Sequence, residues 1–249
     1  MIPNPIVKVL STLSCHEVRH LLMGGQACVF YGAAEFSRDC DIVLLSDQAN
    51  FARLTSALAE LKANCIAVPP FEIDYLRRGH AVHFRCEHPD AAGIRIDVMT
   101  KMRGVDEFVL LWQRRTTLAD PDGTTYELLG IHDLIKAKKT QRDKDWPMIR
   151  RLVESHFTEY KNNATAERVD FWLRELRTPA MLIEVVANHA DEARELAKQR
   201  PLLPEVFAAS ETALAKELLI EQNAQQEADK AYWTPLKREL ETLRRQMRR

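Results

Sequence analysis

The sequence predicts an α+β protein. Strands and helices alternate up to about residue 130, and nearly everything beyond reads as helix. Three observations carry this. Asp39 to Leu45 and Ile94 to Met99 read as strands, the second with clean alternation of apolar and polar residues. Thr116 to Ala119 and Thr125 to Leu129 flank Asp120-Pro121-Asp122-Gly123, a turn sequence that would close a hairpin. From His132 onward, apolar residues recur at helical spacing.

The elements follow in order. Ser14-Cys15-His16-Glu17 has capping-box spacing and predicts a helix start. A short strand is expected around His20 to Met23, then the pair Gly24-Gly25, then a short helix from Gln26 to Tyr31. Phe51, Leu54, Leu58 and Leu61 give Gln48 to Ala63 a helical stripe. Ala81 to Arg85 reads as extended. His132 to Lys161 reads as helix, with a break or restart near Trp146-Pro147. Three more helices are expected over Thr165 to Leu176, Pro179 to Lys198 and Pro204 to the C-terminus, with Pro179 and Pro204 in first turns. Asn162-Asn163-Ala164-Thr165 reads as a linker, which divides the chain into 1–163, including the basic helix 132–161, and a helical domain 164–249.

Composition bounds the function classes. The 249 residues are 46% apolar and 29% charged, enough for a substantial core and too apolar for general disorder. A net charge of −1 means that any polyanion-binding surface must be local. The five scattered cysteines form no C-x-x-C and read as reduced thiols. No stretch approaches the roughly 20 apolar residues of a membrane span, and the N-terminus lacks a secretory pattern, so a cytoplasmic location is expected.

The chemistry begins with two acids in a strand. Residues two apart point the same way, so Asp39 and Asp41 share a face, with Cβ atoms roughly 7 Å apart. Cys40, Ile42 and Leu44 point the other way, into a core. In the later strand Ile94, Ile96 and Val98 form the apolar face, and Arg95, Asp97 and Met99 the other. If the two strands are neighbours, Asp97 sits beside Asp39 and Asp41. Three like charges repel and raise one another's pKa, so the arrangement calls for a cation. Hard carboxylate oxygens suit Mg²⁺ or Mn²⁺, typically together with substrate phosphates. Two such ions about 4 Å apart can activate a hydroxyl and stabilise the leaving oxygen of a phosphoryl transfer.

Gly24-Gly25, between a strand and a helix start, allows backbone N–H groups to approach phosphate closely. Ser37 and Arg38 can donate to phosphate oxygens as well. Residues 136–151 carry seven Lys or Arg against two acids, a local basic patch suited to a triphosphate.

Gly24-Gly25, thirteen intervening residues and Asp39-Cys40-Asp41-Ile42 resemble the signature of the DNA polymerase β-like nucleotidyltransferase superfamily. Ser37 stands where many members have Ser or Thr, and Asp97 matches the third acid on a later strand. Cys40 departs from the larger aliphatic residue usual at its position. The segment IHDLIKAKKTQRDKDWPMI is similar to one in prokaryotic minimal nucleotidyltransferases and abortive-infection-type nucleotidyltransferase toxins. Its matching residues are Asp133, Leu134, Lys138, Arg142, Lys144 and Asp145. Lys138, Arg142 and Asp145 share one face if the helix is unbroken.

The resemblance covers roughly residues 14–155. It implies a nucleotidyltransferase fold with a mixed sheet flanked by helices, followed by an all-helical region. It implies Asp39, Asp41 and Asp97 as catalytic metal ligands for Mg²⁺ or Mn²⁺. Gly24, Gly25, Ser37, Arg38, Lys138, Arg142, Lys144 and Asp145 would bind the nucleotide. The substrate would be an NTP and the acceptor an RNA, tRNA or protein, in a toxin–antitoxin or phage-defence setting with an antitoxin protein as partner. A small-molecule acceptor such as an antibiotic, and a non-catalytic binding module, are the alternatives.

Other candidates carry less. His80-x-x-His83 would place its two rings on opposite faces of a strand, which argues against a metal pair. His83 lies on the polar side of its strand and reads as a packing residue, with contact to substrate as the alternative. GGQACVF lacks the Gly-Lys-Ser/Thr of a P-loop. The tail from Leu236 to Arg249 holds six Lys or Arg and two Glu, with Leu236, Leu240, Leu243 and Met247 at helical spacing. It reads as an amphipathic helix packed on the body, or as a basic arm.

Overall fold

A computed structural model describes residues 4–120 and 123–247. Pro121 and Asp122 of the expected turn, and Arg248 and Arg249 of the tail, lie outside the described residues. The protein is α+β, with a seven-stranded mixed sheet and a helical C-terminal region. No described helix is long and apolar enough to cross a membrane. The chain divides into two compact units. One comprises the described residues up to Ala137 together with those from Tyr232, and the other is Lys138–Ala231. Residue 163, the expected boundary, lies inside the second unit.

The first unit contains α1 (Asn4–Cys15), β1 (His20–Met23), α2 (Gly24–Phe30), β2 (Asp39–Leu44), α3 (Gln48–Glu60) and β3 (Ala63–Cys65). It continues with α4 (Ile73–Arg78), β4 (Val82–Cys86), β5 (Arg95–Met99), α5 (Phe108–Gln113), β6 (Thr116–Ala119) and β7 (Thr125–Leu128). Strand order is β3-β4-β5-β2-β1-β7-β6. β2 pairs parallel with β5 and β1 parallel with β7, while the other pairs are antiparallel.

Burial explains why these segments form strands. Cys40, Ile42 and Leu44 of β2 and Ile96 and Val98 of β5 are fully buried. Complete burial of such aliphatic side chains contributes about 1.5–3 kcal/mol each. β1 is buried along its whole length, as suits a strand in the middle of the sheet. The expected hairpin forms: β6 and β7 pair from Thr116↔Leu128 to Ala119↔Thr125.

The first helix is corrected. Ser14 to Glu17 does not start a helix; it follows the body of α1 and ends it. Ile6, Val9, Leu10 and Leu13 form a buried stripe at helical spacing and place the helix earlier. Glu17 takes a left-handed φ of 54°, which no helix interior accepts. Elsewhere local chemistry sets the ends: the Asp47 carboxylate caps α3 by accepting from the Asn50 N–H at 2.7 Å. Gly79, at φ 103°, closes α4.

Helix α6 (Ile131–Lys138) reaches the division between the units. The second unit then holds α7 (Trp146–Tyr160), α8 (Ala166–Glu175), α9 (Pro179–Asn188), α10 (Ala190–Leu196), α11 (Leu203–Val206) and the larger part of α12 (Glu211–Met247). The expected helix over 179–198 is divided at His189, which takes a non-helical φ/ψ of −137°/53°. The one expected from Pro204 is likewise two helices. The break in the basic helix is longer than expected: helical structure stops at Lys138 and resumes, after a 3₁₀ turn at Asp143–Asp145, at Trp146. Pro147 in the first turn of α7 suits a restart there.

Candidate active site on the sheet

The register of the central strands builds the site. Across β4, β5, β2 and β1, His83, Asp97, Asp41 and Met23 stand abreast. In the next row along, Arg85, Arg95 and Asp39 stand abreast. Residues two apart on a strand share a face, so Asp39, Asp41, Arg95, Asp97 and His83 occupy one side of the sheet. The opposite side is the buried aliphatic layer. The expected juxtaposition of Asp97 with Asp39 and Asp41 is therefore present in the backbone pairing.

The glycine pair closes on the same residues. Gly24 directly follows β1 with φ 67°, and a Cβ there would overlap the Asp41 carboxylate and lie 2.7 Å from the Asp41 Cβ. A Cβ on Gly25 would lie 2.8 Å from the Ser37 Oγ. Each glycine is thus pressed against one named side chain: Asp41 for the first, Ser37 for the second. The Ser37 hydroxyl donates to the Asp39 carbonyl at 3.2 Å, which ties the approach loop to the start of β2. Arg38 is exposed, its guanidinium 5.6 Å from the ring centre of Phe36. Gln26, fully buried in α2, has an amide without a hydrogen-bond partner among the described residues.

Asp97 is the most constrained acid. Its Oδ1 accepts from Arg95 Nε at 2.7 Å and lies 2.8 Å from His83 Nδ1. Burial pushes its pKa up, but the hydrogen bonds and charges of His83 and Arg95 outweigh this, and the carboxyl is held below its usual range. Arg95 answers to all three acids. Burial disfavours its charge, yet Asp97, Asp39 and Asp41 together hold its pKa above the usual arginine value.

Arg95 and His83 are the residues that the motif did not single out as functional. The signal was available: Arg95 shares the polar face of β5 with Asp97, and His83 the polar side of β4. His80, by contrast, is buried with Nε2 2.7 Å from a Glu239 carboxylate oxygen, and forms no pair with His83.

The donor set suits a divalent cation. Three carboxylates on one face are the hard oxygen donors that Mg²⁺ or Mn²⁺ takes, and Gly24 packs directly against one of them. Among the described residues, no group of three or more acidic, histidine or cysteine side chains is already drawn together as a metal cage. The carboxylates fit in kind and in row; Asp97 would exchange its Arg95 contact for the ion.

The basic segment resolves differently from a helix face. Lys138, Arg142, Lys144 and Asp145 belong to the second unit, and Asp133 to the first. Because the helix is broken, Lys138, Arg142 and Asp145 do not lie along one face. They converge instead on the Asp145 carboxylate. It accepts from Lys138 Nζ at 3.0 Å, Thr140 Oγ1 at 2.6 Å and Arg142 Nε at 2.8 Å. Burial raises the Asp145 pKa, and Lys138, Thr140 and Arg142 more than reverse it. Lys144 is exposed. Asp133 holds Arg114 with two hydrogen bonds, at 2.5 and 2.8 Å, and so fixes the residue that precedes the β6 region.

Compared with models of protein families the chain finds no match, and compared with curated proteins it finds none.

Proposed function

We propose that the first unit is a metal-dependent nucleotidyltransferase of the DNA polymerase β-like fold. It would move a nucleoside monophosphate from an NTP to an acceptor hydroxyl and release pyrophosphate. The observation that carries this reading is the glycine pair closed on Asp41 and Ser37, with Asp41 in the same row of the sheet as Asp97.

Asp39, Asp41 and Asp97 would hold Mg²⁺ or Mn²⁺, which supplies Lewis-acid stabilisation of the charge that develops on phosphate oxygens. Gly24 and Gly25 leave room for the Asp41 and Ser37 side chains packed against them, and the Ser37 hydroxyl and Arg38 guanidinium would offer donors to phosphate. Asp97 is the acid proposed to take the acceptor's hydroxyl proton; His83 and Arg95 keep it ionised but lower its basicity, so that contact would have to loosen. His83 and Arg95 set the direction of its oxygens. Lys138 and Arg142, in the second unit, are held on the Asp145 carboxylate. The acceptor proposed is an RNA, tRNA or protein hydroxyl, with an antitoxin protein as partner in a cytoplasmic defence setting.

The test is transfer of label from each NTP to total cell RNA and protein. Wild type is expected to label one fraction in a Mg²⁺-dependent way, and Asp41→Ala to abolish it. Undiminished transfer by Asp41→Ala would refute the mechanism. One observation favours a second reading, a non-catalytic nucleotide-binding module: Asp97 is already occupied by Arg95 and His83. NTP-dependent thermal stabilisation that is indifferent to Mg²⁺, without transfer, would select that reading.

A further inference from the structure

The second unit contains a cleft of about 670 Å³, built on its own helices. Trp146, Pro147, Arg150 and Arg151 of α7 form one wall, and Leu218 and Leu219 of α12 another. Arg177, just before α9, lines it as well. The Arg177 side chain is only 7% exposed and stacks its guanidinium 4.6 Å from the Trp146 ring centre. Its Nε and Nη1 are buried without a hydrogen-bond partner. Nη1 lies 3.3 Å from a Glu221 carboxylate oxygen, close enough for an ion pair but not aligned for a hydrogen bond.

Behind Arg177 the charge does not balance. Lys139 pairs with Glu175 at 2.7 Å and Arg200 with Glu221 at 3.0 Å, so Arg177 shares a carboxylate that Arg200 already holds. Three largely buried cations face two carboxylates. Burial opposes the charge on Arg177 and, despite Glu221, holds its pKa below the usual arginine range. A buried guanidinium that shares its counter-charge is costly, and an anion in the cleft would offset that cost.

The two acids that line the cleft are already engaged. The Glu154 carboxylate accepts from Arg150 at 2.9 Å and from the Thr178 hydroxyl. Asp143 accepts from the Gln226 amide at 2.8 Å. Arg151, exposed and lining the same cleft, makes no ion pair with a described residue. A guanidinium fork matches phosphate oxygens bidentately. The volume exceeds what a bare oxyanion fills, and Leu218, Leu219 and Pro179 offer apolar surface to whatever carries it.

We propose that this cleft binds an organic phosphate monoester, with its oxyanion between Arg177 and Arg151 and its organic body against Leu218 and Leu219. The site is independent of the reading of the acids on the sheet, and so is its test. The probe is phenyl phosphate, titrated into the isotope-labelled full chain while the arginine Nε–H resonances are followed by NMR. Arg177 Nε–H should shift saturably. Phenyl phosphate should bind roughly tenfold tighter than inorganic phosphate, because its ring covers apolar surface. Arg151→Gln, an exposed change that leaves the core intact, should weaken binding about tenfold, as befits one charge-assisted hydrogen bond. Asp41→Ala should bind the probe as wild type does. The proposal fails if Arg177 does not shift, if inorganic phosphate binds equally well, if Arg151→Gln has no effect, or if Asp41→Ala abolishes binding.

Discussion

Gly24→Ala tests the site at its tightest contact. Two costs are separable. The first is backbone: an L-residue at φ 67° pays about 1–2 kcal/mol in the left-handed region. The second is steric: the new Cβ overlaps the Asp41 carboxylate and lies 2.7 Å from the Asp41 Cβ, and such overpacking costs about 1–3 kcal/mol. Gly32 supplies the control, because it has φ 72° and nothing within 4 Å of the place a Cβ would take. Gly32→Ala should therefore show the backbone cost alone. Urea denaturation of both variants gives the difference, expected at about 1–3 kcal/mol. On the proposed function, the displaced Asp41 should also lower nucleotide transfer about a hundredfold, the scale for an angstrom-sized misplacement of a catalytic group. Gly32→Ala should leave transfer intact. If Gly24→Ala costs no more stability than Gly32→Ala, the Asp41 contact is not tight and the reasoning is refuted.

The remaining predictions are shorter. Gly25→Ala meets the end of a flexible serine side chain, Ser37 Oγ, so it should cost less stability than Gly24→Ala by the same denaturation assay. Asp145→Ala leaves Lys138, 6% exposed, without its carboxylate and should destabilise by about 3–5 kcal/mol; equilibrium unfolding at pH 7 checks it. Glu221→Gln removes the carboxylate between Arg200 and Arg177, with a similar cost of about 3–5 kcal/mol at pH 7. Burial raises the Glu221 pKa, but the two arginines and Lys139 lower it further, to a net value below 4.5. Its stabilisation is therefore complete above pH 4.5 and lost as the pH falls through the folded pKa. The stability gap between wild type and Glu221→Gln should stay constant down to about pH 4.5 and close below it.

Much of the sheet was legible because its strands are short amphipathic or apolar runs bounded by turn residues. β2, β5 and the β6–β7 hairpin lie within a residue of their expected bounds. The glycines and acids were legible as a pattern, although their spacing alone does not say which glycine meets which side chain. That follows from β1 pairing with β2 so that Met23 opposes Asp41 and the next residue turns over it. Two things were hidden. The α1 stripe was masked by a local capping-box match at Ser14, since a four-residue pattern cannot reveal that Ile6, Val9, Leu10 and Leu13 are already buried. The end of α6 at Lys138 was masked by continuous helical composition through 139–145. There the Asp145 carboxylate gathers Lys138, Thr140 and Arg142 around a bend, a tertiary arrangement that helix propensity does not encode.

The position of Asp97 opposite Asp41 is a consequence of apolar burial. Cys40, Ile42, Leu44, Ile96 and Val98 are all excluded from solvent on the other side of β2 and β5. A slip of β5 by one residue would turn Ile96 and Val98 outward and Asp97 into that layer. Exposing the two aliphatics alone would cost about 3–6 kcal/mol, before the burial of a carboxylate is counted. The hydrophobic layer therefore fixes the register, and the register fixes the acids. The same parity brings Arg95 to the acidic face: it opposes Asp39 and bonds Asp97. The site is thus three carboxylates with one built-in cation, and Arg95 already neutralises part of their mutual repulsion. On the proposed reading, a divalent ion entering this face would compete with Arg95 for Asp97. If the proposed metal site is correct, Mn²⁺ affinity should rise when Arg95 is replaced by Gln, and Mn²⁺ titration of that variant against wild type, read by paramagnetic line broadening, measures it. Equal affinity in the two proteins would mean that Arg95 does not stand in the ion's place.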